Sequence, residues 1–99
     1  MIAKLHKTIE GRAVLALCDK DIIGKRFEEG NIQIDLSSEF YKGQEKTGEE
    51  VLDIIKKERV NILNVVGEKS VRFFTDKGLI SKEHTIRIKN IPHAQAVFD

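Results

Sequence analysis

Residues 12–18 read "RAVLALC", and this stretch constrains the fold more than any other. As a strand it is apolar on both sides, with Val14, Ala16 and Cys18 against Ala13, Leu15 and Leu17. A strand of that kind belongs inside a sheet, with both faces covered. The stretch before it, "IAKLHKTIE", alternates instead. Ala3, Leu5 and Ile9 share one side, and Lys4, His6 and Thr8 share the other, as in a half-buried strand. Glu10-Gly11 supplies a tight turn between the two, because glycine accepts positive φ. The chain therefore opens with a hairpin whose second strand is internal.

The remaining elements follow from period and punctuation. Asp19 caps a short helical turn that Gly24 stops. "KRFEEGNIQIDLS" predicts a second hairpin, turning at Glu29-Gly30-Asn31, with Ile32, Ile34 and Leu36 facing the core. "SSEFYKGQEK" reads as loop. "TGEEVLDIIKKER" is the clearest helix: Thr47 and Glu50 form a capping box, and Val51, Leu52, Ile54 and Ile55 make its apolar stripe. "NILNVVGEKSVRFFTDKGLI" predicts a second helix, capped by Asn61 or Asn64, with Val66, Val71, Phe73 and Phe74 inward. Gly78 ends it and Leu79 folds back over the end. "TIRIKNI" reads as a strand with Ile86 and Ile88 opposite Arg87 and Lys89. Pro92 then starts a last strand, "AQAVF". Strands and helices are grouped, which predicts an α+β fold. The expected form is a mostly antiparallel sheet of about five to six strands with two main helices on one face, as a single domain over residues 1–99.

Charge and cysteine usage narrow the function. Seventeen basic residues face sixteen acidic ones, and neither half of the chain holds a basic block. Strong non-specific DNA binding is not expected, although a local basic patch is compatible with this balance. The lone Cys18 excludes an internal disulfide and cysteine-rich metal centres. No apolar run approaches the ~18–20 residues of a membrane span, and the N-terminus does not read as a signal peptide, so a cytoplasmic protein is expected.

Four segments together carry a family resemblance: "IIGKRFEEG", "FYKG", "VVGEKSV" and "IPHAQ". The chain resembles an archaeal family of small conserved proteins grouped as a domain of unknown function, family 424. The likeness runs over essentially the whole chain, and Gly67-Glu68 and Pro92-His93-Ala94-Gln95 are its most distinctive parts. It implies an archaeal cytosolic α+β protein and implies no activity.

His93 and Gln95 head the candidate site residues, because two positions apart on a strand they face one side. Side by side they can hold a phosphate, a base edge or a carbonyl, or form a hydrogen-bonded pair that fixes the strand. Tyr41, with Phe40, lies in a polar loop where an aromatic can stack on a base or plug a sheet edge, and Arg26 is a nearby cation. Cys18 and Asp19 end the inner strand; a thiolate there beside His93 makes a nucleophile–base couple, while a buried free cysteine is the ordinary alternative. Gly67 and Glu68 lie where helix-start amides favour anions, against a close packing contact at the glycine. The three histidines lack ligand spacing, so neither metal nor other cofactor is expected. These features point first to a non-enzymatic binding module for RNA or a ribonucleoprotein of the translation machinery. The alternatives are a protein–protein adaptor or homodimer, and a small enzyme using His93 as acid/base with Cys18 or Asp19.

Overall fold

The computed structural model describes residues 1–98. The chain runs β1 (Ile2–Lys7), β2 (Ala13–Cys18), β3 (Arg26–Glu29), β4 (Ile32–Asp35), β5 (Gln44–Glu45), α1 (Gly48–Lys57), β6 (Ile62–Val66), α2 (Glu68–Asp76), β7 (Ile86–Ile88) and β8 (Ile91–Val97). Single 3-10 turns lie at Lys20–Ile22 and Lys82–His84. The fold is α+β. Its main sheet has six strands in the order β5-β1-β2-β6-β8-β7, and β3 and β4 form a separate hairpin. Every pairing in the main sheet is antiparallel except β2 with β6, which run parallel at its centre.

The helix at "TGEEVLDIIKKER" forms as its pattern requires. The Thr47 hydroxyl accepts from the Glu50 amide at 3.2 Å, and the Thr47 amide donates to the Glu50 carboxylate at 2.9 Å. Gly78, in the left-handed region at φ 72°, ends the second helix. The Leu79 amide donates to the Phe74 carbonyl and the Gly78 amide to the Thr75 carbonyl, the paired bonds of a Schellman motif.

Residues 62–66 correct the sequence reading. They are the strand β6 and not the first turn of the second helix, which starts at Glu68. Leu63 and Val65 pack under the helices while Asn64 and Val66 face the other way, a period of two that a short stretch beside adjacent valines disguises. Neither asparagine caps α2. Asn61 Oδ1 accepts from the Ala13 amide, and Asn64 stands mid-strand. Two smaller corrections are Ile9, fully exposed in the first turn, and Lys89, which with Asn90 has positive φ and forms the two-residue turn from β7 to β8. Ile32, near the tip of the second hairpin, is also half exposed, although Ile34 and Leu36 are buried.

Both faces of β2 are covered, by different means. Leu15 and Leu17 join Leu63, Val65 and Ala94 beneath Val51 of α1 and Val71 and Phe74 of α2. Ala16 and Cys18 join Val66 and Ile88 beneath Ile22, Ile34, Leu36 and Tyr41. Both helices thus lie on one face, and the β3–β4 hairpin with the following loop closes part of the other. Among the described residues no helix is long and apolar enough to cross a membrane.

Candidate functional site

Register brings the polar candidates together on the hairpin side. Asn64 sits opposite Gln95, and Val66 opposite His93, across the β6–β8 ladder. His93 and Gln95 therefore share this face with Asn64. The Tyr41 hydroxyl donates to Asn64 Oδ1 at 2.8 Å, and His93 Nε2 lies 3.2 Å from the same oxygen. That oxygen only accepts, so the network assigns the histidine proton to Nε2 and leaves Nδ1 as an acceptor. Burial disfavours the charged forms of both ring systems. It holds His93 below its ordinary value and pushes the Tyr41 phenol up to about 12, with Cys18 adding to the latter.

The same loop is fastened at a second place. The His6 ring stacks on Phe40 with centroids 4.5 Å apart, and His6 Nε2 lies 2.9 Å from the Phe40 carbonyl oxygen. Lys4 Nζ donates to the Glu39 carbonyl at 2.8 Å. The polar side chains of β1, β6 and β8 thus hold residues 39–41 against the sheet. His93 is one of these fasteners. Gln95 remains exposed beside Asn64.

Cys18 and His93 do not form a nucleophile–base couple. Val66 stands between them in register, one strand from each. The thiol is fully buried, and burial together with the neighbouring Asp19 carboxylate pushes it up to about 11. Asp19 has another task. Its carboxylate accepts from the Lys69 amide at 3.0 Å, the Ser70 amide at 2.7 Å and the Ser70 hydroxyl at 2.6 Å. The end of β2 thereby caps α2 from about fifty residues away, and the protein's own carboxylate occupies the place an anion would take. Gly67 is required there: its φ is 113°, and a Cβ would run into the Asp19 carboxylate.

Glu68 leads to the opposite face of the sheet. Its carboxylate meets Arg87 Nη1 at 2.7 Å, and the same nitrogen donates to the Asn90 carbonyl at 2.8 Å. This pair borders a cleft of about 440 Å³ between α2 and the segment 82–87. Arg72 of α2 and Lys82 of the 3-10 turn also line it, with Asp76 at the end of the helix, and Val71 and Pro92 close its bottom. A second hollow, about 620 Å³, lies by Asp19, Lys20 and Lys69. Lys20 there is already paired with Glu45 at 3.1 Å. Among the described residues no three histidine, cysteine or acidic side chains converge as a metal site would need.

A family model described as "Protein of unknown function (DUF424)" matches residues 6–98. The chain belongs to this family. A crystal structure of an uncharacterized conserved protein from Methanopyrus kandleri has a similar fold, with a TM-score of 0.78 and 21% identity. The match covers 99% of this chain and 92% of that one. No curated protein matches the chain.

In this DUF424 chain the candidates fall into separate places. His93 and Tyr41 meet through Asn64, with Gln95 alongside. Arg26 stays apart, exposed on β3 and paired with Glu28 at 2.9 Å. Asp19 and Gly67 form the helix cap. Glu68 joins the cleft that Arg72, Lys82 and Arg87 line. Sequence reasoning missed Asn64 as a hub, although a lone amide inside "ILNVV" signals a buried polar group that must find partners. It also missed the cleft cations, which lie in three elements and share no local pattern.

Proposed function

We propose that this chain is a non-enzymatic cytoplasmic module that binds single-stranded RNA, free or within a ribonucleoprotein. One observation carries the reading: Arg72, Lys82 and Arg87, from α2, a 3-10 turn and β7, line the same cleft. With a net charge of only +1, any pull on a phosphate chain has to be local, and this cleft sets three cations against two carboxylates, Glu68 and Asp76. Arg72 and Lys82 pair with no carboxylate among the described residues, which leaves them available to phosphates. The Arg87 guanidinium is already oriented by Glu68 and the Asn90 carbonyl.

The test is fluorescence anisotropy of a labelled single-stranded RNA ten-mer across a salt series. Neutralising one to three phosphates predicts that log affinity falls with log salt at a slope of about −0.7 to −2. Arg72→Gln and Lys82→Gln each flatten that slope and weaken binding. Salt-independent binding, or variants that bind as the parent does, sinks the reading.

A second reading has its own support. Val14, Ile62 and Val97 stand in one row across β2, β6 and β8 on the part of the sheet face left open, and Val97 is 65% exposed. An apolar row of this kind suits a protein partner or a second copy of the chain. Sedimentation equilibrium decides it for self-association: a dimer that Val97→Glu dissociates supports this reading, and a monomer at high concentration removes it.

A further inference from the structure

We infer that the same cleft selects guanine: its cations hold a phosphate and the Asp76 carboxylate reads the base. The inference rests on the nucleic-acid reading above and assigns a base preference to its site.

The cleft is not simply basic. Glu68 and Asp76 line it beside Arg72, Lys82 and Arg87. A groove built only to follow a phosphate chain has no use for carboxylates, which repel it. Glu68 spends one oxygen on Arg87. Asp76, exposed in the last turn of α2, accepts no side-chain hydrogen bond and enters no ion pair among the described residues. Its two oxygens are open acceptors.

An ionised carboxylate reads donors only. On the Watson–Crick edge of guanine, N1–H and the N2 amino group point the same way and match two carboxylate oxygens. Adenine, cytosine and uracil each set a single donor beside an acceptor on that edge, so a carboxylate gains one bond and meets one repulsion. Single-stranded RNA is recognised through such edges once its bases are unstacked.

The hydroxyls lining the cleft reinforce this division. Thr75 donates to the Arg72 carbonyl at 3.1 Å, and Thr85 to the Ser81 carbonyl at 3.2 Å. Both hydroxyl protons are committed, so the hydroxyls offer acceptors and leave the phosphate to the cations. The volume of about 440 Å³ falls within the roughly 300–1,000 Å³ of small-ligand pockets, which suits one nucleotide.

The test compares labelled UUUGUUUU with UUUUUUUU and with the matching strands carrying a single A or C, for the parent and for Asp76→Asn. Circular dichroism checks that the variant is folded, as substitution at an exposed position predicts. The G strand is expected to bind roughly tenfold more tightly than the others, the scale of one bidentate base contact. Asp76→Asn is expected to remove that preference, while the U strand binds at least as tightly because a repelling charge is gone. Equal affinity for all four strands, or a G preference that survives Asp76→Asn, overturns the inference and leaves the RNA reading standing. Free guanosine and uridine monophosphates, followed by amide chemical shifts, separate a strand from a mononucleotide. Shifts at Arg72, Asp76 and Lys82 with the guanosine nucleotide alone, and no strand binding, keep guanine selection and overturn the RNA reading. Absence of both overturns both.

Discussion

Under its helices the main sheet presents Leu15, Leu17, Leu63, Val65 and Ala94, all apolar and all buried. Under its hairpin and loop it presents Cys18, Val66 and His93 at one end, then Ala16, Asn64 and Gln95, and finally the open row of Val14, Ile62 and Val97. The helical cover holds chiefly by burial, with the Asp19 carboxylate also tying the start of α2 to the end of β2. The hairpin and loop bury Ile22, Ile34, Leu36 and Tyr41 on the other face, and the loop is held in addition by the Tyr41–Asn64–His93 chain and the His6–Phe40 stack. Hydrogen bonds of this sort contribute modestly to stability, because water is given up to make them. Their effect is to fix where the loop sits. Both faces are closed by burial, and the hairpin side adds polar fasteners and a stretch of open surface.

Phe74 offers the hardest blow to that contrast. It is wholly buried beneath α2, and Phe74→Ala is expected to cost about 3–5 kcal/mol in urea unfolding followed by circular dichroism. Asp19→Ala comes next, at about 2–3 kcal/mol, because it removes a charged cap that takes three hydrogen bonds. Native-state hydrogen exchange of this variant should show the amides of Lys69 and Ser70 losing protection first. On the opposite face Tyr41→Phe keeps the ring and deletes one hydroxyl, and about 1 kcal/mol is expected, since Asn64 retains His93. A Tyr41→Phe loss as large as that of Phe74→Ala contradicts the division between burial and fastening.

The smallest effect lies with pH. Burial lowers the His93 value from the ordinary 6.5, so below that point the unfolded chain takes up a proton that the folded chain does not. The stability tied to neutral His93 is complete above 6.5 and declines as pH falls, until the folded form is protonated as well. His93→Gln should therefore narrow the difference in urea midpoint between about pH 7.5 and about pH 5. An unchanged difference shows that the imidazole is not buried as neutral base.

Much of this could be read before any fold was known. The Thr47–Glu50 box, the stripe of α1, the Gly78–Leu79 ending and the inner position of "RAVLALC" all depend on neighbours a few residues away, where period and capping rules act. The placing of His93 and Gln95 on one side follows from the two-residue period of a strand. β6 escaped because five residues leading directly into a helix give too short a window to separate the two periods. Asp19 was legible as a cap, but of the wrong helix, since a carboxylate at a strand end marks no particular partner.

What the sequence determined by itself is a set of local choices: most of the strands and helices, where α1 begins and α2 ends, and which side chains avoid water. The tertiary structure decided the rest by setting β2 parallel to β6 and β8 beside it. That arrangement put Asp19 on the start of α2, Asn64 between Tyr41 and His93, and Arg72, Lys82 and Arg87 around one cleft. The physical reason is one of range. Periodicity and capping act over one or two turns of chain, whereas Arg72 and Arg87 lie 15 residues apart and Asp19 and Ser70 lie 51 apart, and they meet only because burial of the apolar strands fixes which of them are neighbours.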